Sequence, residues 1–303
     1  MRVTMTGATG RVGARIAAAL KARGDEVTVL SRNPERAGAA LGVDAVAWRP
    51  EDEPAPSEAL AGRDGVIHLA GEDIAQRWTD EVKRRVMRSR ELGTRNLVAG
   101  LRASDPRPPA LISASAVGWY GRDRGDDRLT EQEPAGEDFL AAVCEAWERE
   151  AVAAETLGVR VARIRTGIVL DKDGGALGKM LPFFKAGVGG PVAGGDQLMP
   201  WVHADDVAGI YLRAIDDATW SGPVNATAPK PVSNKAFSKA LGRALKRPAI
   251  APVPAFAIQL LYGDMSEIVT KGQNAVPART LELGYRHVHP DLDEALRSAV
   301  GSD

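Results

Sequence analysis

Apolar positions near the start of the chain change their period twice. Arg2–Thr6 reads as a short buried strand. Val12, Ile16, Ala19 and Leu20 then recur at i, i+4, i+7 and i+8, the spacing of one helical face, and Gly24 ends that helix as a C-terminal glycine does. Glu26–Ser31 returns to a strand of β-branched character through Val27, Val29 and Leu30. Strand, helix and strand within roughly thirty residues is the size of a parallel crossover. The alternation continues. Residues 45–48 read as a third strand, 50–56 as a proline-rich loop and 65–69 as a buried strand. Residues 78–103 form a long helix with Trp78 as a core anchor, and 104–109 are turn-rich. A strand at 111–113 precedes a helix over 138–157, anchored by Trp147 and stopped by Gly158, and 159–165 is the next strand. This order predicts an α/β fold, a Rossmann-type doubly wound parallel sheet.

The character changes near Gly174. The pairs Gly174-Gly175, Gly189-Gly190 and Gly194-Gly195 mark loops and tight turns. A helical pattern over 234–245, a proline-rich passage over 248–254 and an amphipathic tail follow. The pattern predicts a dinucleotide-binding Rossmann domain over residues 1–228, with substrate-side loops at 171–204, and a small C-terminal cap over 229–303.

Composition narrows the classes. At 44% apolar, 26% charged and net charge −1, the chain is globular and lacks the basic excess of a nucleic-acid binder. Nor does any stretch approach the ~20 apolar residues of a membrane helix. The N-terminus carries a glycine turn where a signal peptide has its apolar run. A lone cysteine, Cys144, cannot form an internal disulfide, which points to a reducing, cytoplasmic setting. His68, His203, His287 and His289 form no zinc-like spacing with Cys144, so no metal is expected; His287 and His289 read as a surface pair. Lys83, Arg84, Arg85, Arg88 and Arg90 spread around a helix and read as a solvated face. A homodimer is the base-rate expectation.

Gly7, Gly10 and Gly13 lie at three-residue spacing between the first strand and the first helix. There the first glycine permits a tight turn, the second lets the backbone approach a pyrophosphate, and the third lets helix and sheet pack closely. The helix N-terminus then receives the phosphates. The second strand ends Leu30-Ser31-Arg32-Asn33. NAD enzymes place a carboxylate there for the ribose 2′-hydroxyl, whereas an arginine suits a 2′-phosphate, so the cofactor indicated is NADP.

Further motifs are His68-Leu-Ala-Gly71-Glu72, Ser113-Ala-Ser-Ala-Val-Gly-Trp-Tyr-Gly121, Arg165-Thr-Gly-Ile-Val-Leu170, Gly189-Gly-Pro191 and Pro200-Trp-Val-His-Ala-Asp-Asp206. With the glycine turn they resemble the extended short-chain dehydrogenase/reductase superfamily. More closely, the chain is similar to its atypical nucleoside-diphosphate-sugar epimerase-like branch, epimerase family 39U. The tail from Val276 to Tyr285 resembles that branch's small C-terminal domain. The resemblance covers essentially the whole chain. It implies a pyrophosphate site at Thr6, Gly7, Gly10, Arg11, Val12 and Gly13, and a 2′-phosphate site at Ser31 and Arg32. Leu69, Ala70 and Gly71 would line the adenosine ribose and pyrophosphate, with Glu72 nearby. Arg77 would reach the cofactor, and Ser113 and Ile168 would lie near the nicotinamide half.

The family's proton chemistry uses a Ser or Thr after the fifth strand and Tyr-x-x-x-Lys on the next helix. Ser115 matches the serine and would polarise a reacting carbonyl. Matching Glu148 to the family's helix acid puts Leu140 and Cys144 where tyrosine and lysine belong. The four tyrosines (Tyr120, Tyr211, Tyr262 and Tyr285) are followed four residues later by Arg124, Ile215, Ser266 and His289, so the dyad occurs nowhere. Tyr120, Glu72 and His203 are the candidate replacements. Gln197, Met199 and Trp201 would line a pocket for a small polar, sugar- or nucleotide-like substrate beneath the cap. The missing dyad also fits a second reading: a catalytically silent NADP-binding sensor or interaction protein.

Overall fold

The computed structural model describes residues 1–301, with the side chains of Ala257, Leu261 and Tyr262 outside the description. The last two residues of the 229–303 segment lie beyond it.

The elements are β1 (Arg2–Thr6), α1 (Arg11–Ala22), β2 (Glu26–Ser31), α2 (Pro34–Leu41), β3 (Asp44–Ala47), β4 (Gly65–His68), α3 (Asp80–Ala103), β5 (Ala110–Ala116), β6 (Arg128–Leu129), α4 (Phe139–Val152), β7 (Arg160–Thr166), β8 (Ile168–Leu170), α5 (Gly175–Lys185), β9 (Leu198–Met199), β10 (Trp201–His203), α6 (Ala204–Asp216), β11 (Gly222–Ala226), β12 (Val232–Ser233), α7 (Asn234–Leu245), α8 (Ala255–Tyr262), α9 (Glu267–Thr270), β13 (Asn274–Ala275), α10 (Ala278–Glu282) and α11 (Leu292–Val300). Seven strands form one parallel sheet in the order β11-β7-β5-β4-β1-β2-β3. The direction of winding reverses between β1 and β4, so their carboxyl ends flank a crevice of the kind that receives ligands in open α/β sheets.

Alternation along each strand sorts the core into two faces. Met5, Ile67, Ile112 and Ile164 pack with Ile16 and Leu20 of α1 and Val207 of α6. Val66, Leu111 and Val161 face the other way, toward Leu97 and Leu101 of α3 and Ala151 of α4. Near the carboxyl end this second face turns polar: Thr6, His68, Ser113, Ser115 and Arg165 are all at most 4% exposed. Buried polar groups need partners, and the identity of those partners decides what the site can do.

A second lobe draws on two parts of the chain. β8 pairs with β10 and β9 with β12, while β13 pairs with β6. Leu170, Leu177, Phe184 and Trp201 share a core with Phe237, Leu241 and Leu296. The loops at 171–204 and the C-terminal segment therefore fold together.

Several boundaries differ from those the pattern predicts. Trp48 leaves the third strand because its indole donates to the Glu53 carbonyl at 3.0 Å. The long helix begins at Asp80, since the Thr79 hydroxyl accepts the Val82 amide at 3.2 Å and caps it. β5 continues to Ala116, so Ser115 is a strand residue. Trp78 and Trp147 are buried anchors, as the pattern predicts. His287 and His289 do alternate, but they point inward rather than to the surface: His287 bonds the Thr227 carbonyl at 2.8 Å, and the His289 side chain is only 13% exposed.

Candidate active site

Gly7 has φ +66°, and a Cβ there would lie 2.7 Å from the Leu69 carbonyl carbon. The glycine thus lets the turn after β1 sit directly against the turn after β4. Gly13 packs on that same turn; a Cβ there would come 2.7 Å from the Ala8 Cα and closer still to the Gly7 oxygen. Gly10 caps α1 in extended conformation with no side-chain capping bond, and the first turn carries no acidic residue. Arg11, Val12 and Gly13 therefore present first-turn N–H groups to an anion, at the positive end of the helix dipole. Leu69, Ala70 and Gly71 line the opposite wall, with Gly71 exposed. Arg11 donates to the Asp173 carbonyl at 3.2 Å, bringing the loop after β8 over the turn. Ile168 opens β8, where its amide bonds the Pro200 carbonyl at 2.8 Å. The fit to a dinucleotide diphosphate is good: the cradle is backbone, and glycines at 7 and 13 let its turns close on one another.

The end of β2 is equally well prepared. The Ser31 hydroxyl accepts the Asn33 amide at 3.1 Å, and Asn33 caps α2 by accepting the Arg36 amide at 3.0 Å. Arg32 between them is exposed. A planar guanidinium there suits a phosphate monoester.

Thr6 has a different task from the one expected. It is fully buried, and its Oγ1 accepts the Leu69 and Ala70 amides at 3.2 Å each. Both lone pairs are thereby used, so its O–H donates to His68 Nδ1 at 2.7 Å. His68 is then the Nε2–H tautomer, 2.9 Å from Thr94 Oγ1. Thr6 shapes the 69–70 turn, and its hydroxyl is fully committed there. Burial, with Arg90 nearby, pushes the His68 pKa from 6.5 down to about 3. A proton on Nδ1 would also find no acceptor.

That neutral histidine makes stability depend on pH. Its folded pKa lies below its unfolded one, so the unfolded chain takes up a proton that the folded chain refuses between pH 6.5 and 3. The His68 contribution is complete above pH 6.5 and is lost as pH falls toward 3. Lowering pH from 7 to 5 should cost about 2 kcal/mol through this residue, at about 1.4 kcal/mol per unit below 6.5. Urea unfolding of wild type and His68→Gln at both pH values checks this; equal losses in the two proteins would refute it.

The catalytic candidates fare unevenly. Ser115 Oγ donates to Glu148 Oε1 at 2.7 Å, and the residue is 4% exposed. With its proton given to a carboxylate, it has none for a substrate carbonyl. Tyr120 is fully buried, and its hydroxyl donates to Asn225 Oδ1 at 2.7 Å. With no exposed surface and its hydroxyl given to Asn225 it packs in the interior, where burial pushes its pKa up to about 12. His203 caps α6: its Nδ1 accepts the Asp205 amide at 3.2 Å, and its ring lies 3.9 Å from that of His289. Burial, then His289, lowers its pKa. That role corrects the expected catalytic one. Glu72 alone keeps access to solvent, with a side chain 31% exposed, 3.4 Å from Gln76 Nε2 and 3.5 Å from Arg85 Nε.

Other expected contacts are redirected too. Arg77 precedes α3 and donates to the Leu260 carbonyl at 3.1 Å, tying the loop to the second lobe instead of reaching a cofactor. Ser113 is 1% exposed and paired beside His68, beneath the site rather than in it. Trp201 and Met199 belong to the second lobe's core, and Gln197 donates to the Val192 and Val269 carbonyls, so none lines a pocket. Leu140 and Cys144 occupy the dyad's expected helix, α4, and both pack against Gly118. Burial raises the Cys144 thiol to about 12.

Two groups escape a sequence reading. Arg90 leaves the supposedly solvated face, stacks 4.9 Å over Trp147 and donates to the Glu72 carbonyl at 3.0 Å. Glu148 is 2% exposed and receives Ser115, Arg163 (3.1 Å) and Arg165 (2.8 and 3.0 Å). Arg165 in turn stacks 3.9 Å over Trp119. Alternation on β5 and β7 places Ser113, Ser115, Arg163 and Arg165 on one face, the one signal that could have announced this network.

Comparison with known proteins agrees with this geometry. The profile of the NAD dependent epimerase/dehydratase family matches residues 3–225, and a domain of unknown function, DUF1731, matches residues 253–299. Epimerase family protein SDR39U1 of Homo sapiens is 36% identical over 308 residues, spanning 99% of this chain and 100% of its own. Epimerase family protein YfhF of Bacillus subtilis is 35% identical over 300 residues, spanning 99% and 98%. The crystal structure of human SDR39U1 (isoform 2) with NADPH superposes with a TM-score of 0.88 at 32% identity, covering 100% of both chains. The nucleoside-diphosphate sugar epimerase from Corynebacterium glutamicum gives 0.80 at 36% identity, covering 100% of this chain and 59% of that one. The chain belongs to the NAD dependent epimerase/dehydratase family, on its SDR39U1 branch.

Proposed function

We propose that the protein is an NADP(H)-dependent oxidoreductase or epimerase-type enzyme acting on a small polar, sugar- or nucleotide-like substrate, with Glu72 as its proton-carrying group. The observation that carries the cofactor reading is the backbone turn of Gly7, Gly10 and Gly13, in which a side chain at Gly7 or Gly13 would collide with neighbouring backbone. The NADPH held by the human relative supports it.

The bound dinucleotide would supply or accept hydride. The chain's residues do the rest. First-turn amides of α1 neutralise the diphosphate, and Arg32 selects the 2′-phosphate. Arg32→Ala should weaken NADPH by roughly 1–3 kcal/mol, about 5- to 150-fold, and leave NADH unchanged. Calorimetry with both nucleotides checks this; an unaltered preference for NADPH would show that Arg32 plays no part in it.

Glu72 follows β4 at the carboxyl end of the sheet, beside exposed Gly71. Its carboxylate is the one candidate not committed to a buried partner, so it can take or give the proton that accompanies hydride transfer. Following NADPH absorbance with a panel of carbonyl compounds and sugar nucleotides tests the assignment. Turnover that falls at least ~100-fold in Glu72→Gln, with NADPH affinity kept, supports it. Turnover that survives the substitution removes Glu72 from the reaction.

A second reading, a silent NADP-binding sensor, is favoured by Leu140 and Cys144 in the dyad positions and by the capture of Ser115 by Glu148. Tight NADPH binding without turnover across the whole panel would select it. In either case, no described helix is long and apolar enough to cross a membrane.

A further inference from the structure

His203, Asp205 and His289 each offer a ligand atom within 4.8 Å of the other two, although the histidines come from distant parts of the chain. Asp205 Oδ2 lies 3.4 Å from His203 Nδ1 and 3.5 Å from His289 Nε2. Both separations are long for hydrogen bonds. They are close to the ligand–ligand separation around a tetrahedral cation whose bonds are about 2.0–2.1 Å, and the third pair, the two imidazole nitrogens, lies within 4.8 Å. We infer that these three side chains form a binding site for a divalent transition-metal ion of the zinc class, clamping the C-terminal segment onto the start of α6.

The surroundings fit such a clamp. Asp206, fully buried, accepts the Val288 amide at 2.7 Å, the His289 amide at 3.0 Å and the Tyr285 hydroxyl at 3.2 Å. Those bonds fix the backbone that carries His289 without using its ring. Arg15 bonds Oδ1 of Asp205, leaving Oδ2 for another partner and orienting the carboxylate as outer groups do at metal sites. His289 Nδ1 is buried without a hydrogen-bond partner among the described residues, and its ring lies 3.9 Å from that of His203, tilted by 45°. On His203, the metal would replace the weak 3.2 Å bond that Nδ1 accepts from the Asp205 amide. Two imidazoles and one carboxylate are a borderline donor set, which suits zinc, cobalt or nickel rather than calcium or magnesium. Three protein ligands leave a fourth position for water on the Asp205 side, which is 44% exposed.

The test uses full-length protein without an affinity tag, stripped with chelator and dialysed. Zinc is titrated by calorimetry, and cobalt is followed by its visible absorption, which is intense only for four-coordinate sites. One ion per chain is expected. Binding should weaken in His289→Ala, and separately in Asp205→Asn, by more than the roughly 10–100-fold that loss of an outer partner costs. Both stripped variants should melt close to the stripped wild type, because the Asp206 bonds to the segment remain. No heat and no cobalt band in the wild type would overturn the site. So would wild-type affinity in both variants, since the ion would then sit elsewhere.

Discussion

Gly13→Ala should abolish measurable NADPH binding and destabilise the fold together. The added methyl would press on the Gly7 carbonyl and on the Ala8 backbone at 2.7 Å, and neither belongs to a flexible side chain that could swing away. Either α1 moves off the sheet or the turn opens. Overpacking of this kind costs about 1–3 kcal/mol, and the rigid neighbours put this case at the upper end. Any such shift also misdirects the first-turn amides, so affinity should fall at least ~100-fold, about 2.7 kcal/mol. Gly10→Ala separates the two effects. Its nearest neighbour would be the Gly7 oxygen at 3.2 Å, tight but tolerable, so stability should change little, while a methyl where the backbone is expected to approach the diphosphate should weaken NADPH. Calorimetry and thermal melting of both variants decide the matter. A Gly13→Ala protein that binds NADPH within threefold of wild type would remove the cradle from the account.

This part of the site is legible in the sequence because it is local. A turn between adjacent elements is specified by residues only a few positions apart, and the glycines announce the conformation they permit. The crossover elements were legible for the same reason, since period and stop signals are short-range properties. The proton chemistry was not. Ser115, Tyr120 and His203 each look reactive until their partners are known. Those partners, Glu148, Asn225 and His289, arrive from elements far along the chain. Arg77 and Arg90 were misplaced in a similar way: one is drawn off by the Leu260 carbonyl and the other by the Trp147 face. Hydrophobic period reports which face of an element is buried, but it does not report which buried polar groups will meet there. Glu72 stayed eligible because the loop that carries it left its carboxylate partly in solvent.

Glu148→Ala should cost about 3–5 kcal/mol of stability. The carboxylate is 2% exposed and bonds Arg165 through both oxygens, with Arg163 and Ser115 completing its shell. Arg165 is itself 2% exposed, so truncating its partner strands a buried cation that water cannot reach. Stacking on Trp119, worth about 2 kcal/mol or more for a desolvated cation over a ring, is present with or without the carboxylate and so does not offset that cost. Glu148→Gln keeps an acceptor for one bond but withdraws the charge, so it should fall between the alanine variant and wild type. Ser115→Ala removes one bond to a charged group and leaves the Arg165 pair intact, which should cost about 1.5–3 kcal/mol at most. Urea unfolding of the three variants should therefore rank alanine at 148 first, glutamine at 148 second and alanine at 115 last. Equal costs for Glu148→Ala and Ser115→Ala would mean that Arg165 is solvated, and the capture of Ser115 would then be incidental. The predicted order would instead make Glu148 the anchor of this network, a carboxylate that steadies two arginines and also accepts the Ser115 hydroxyl.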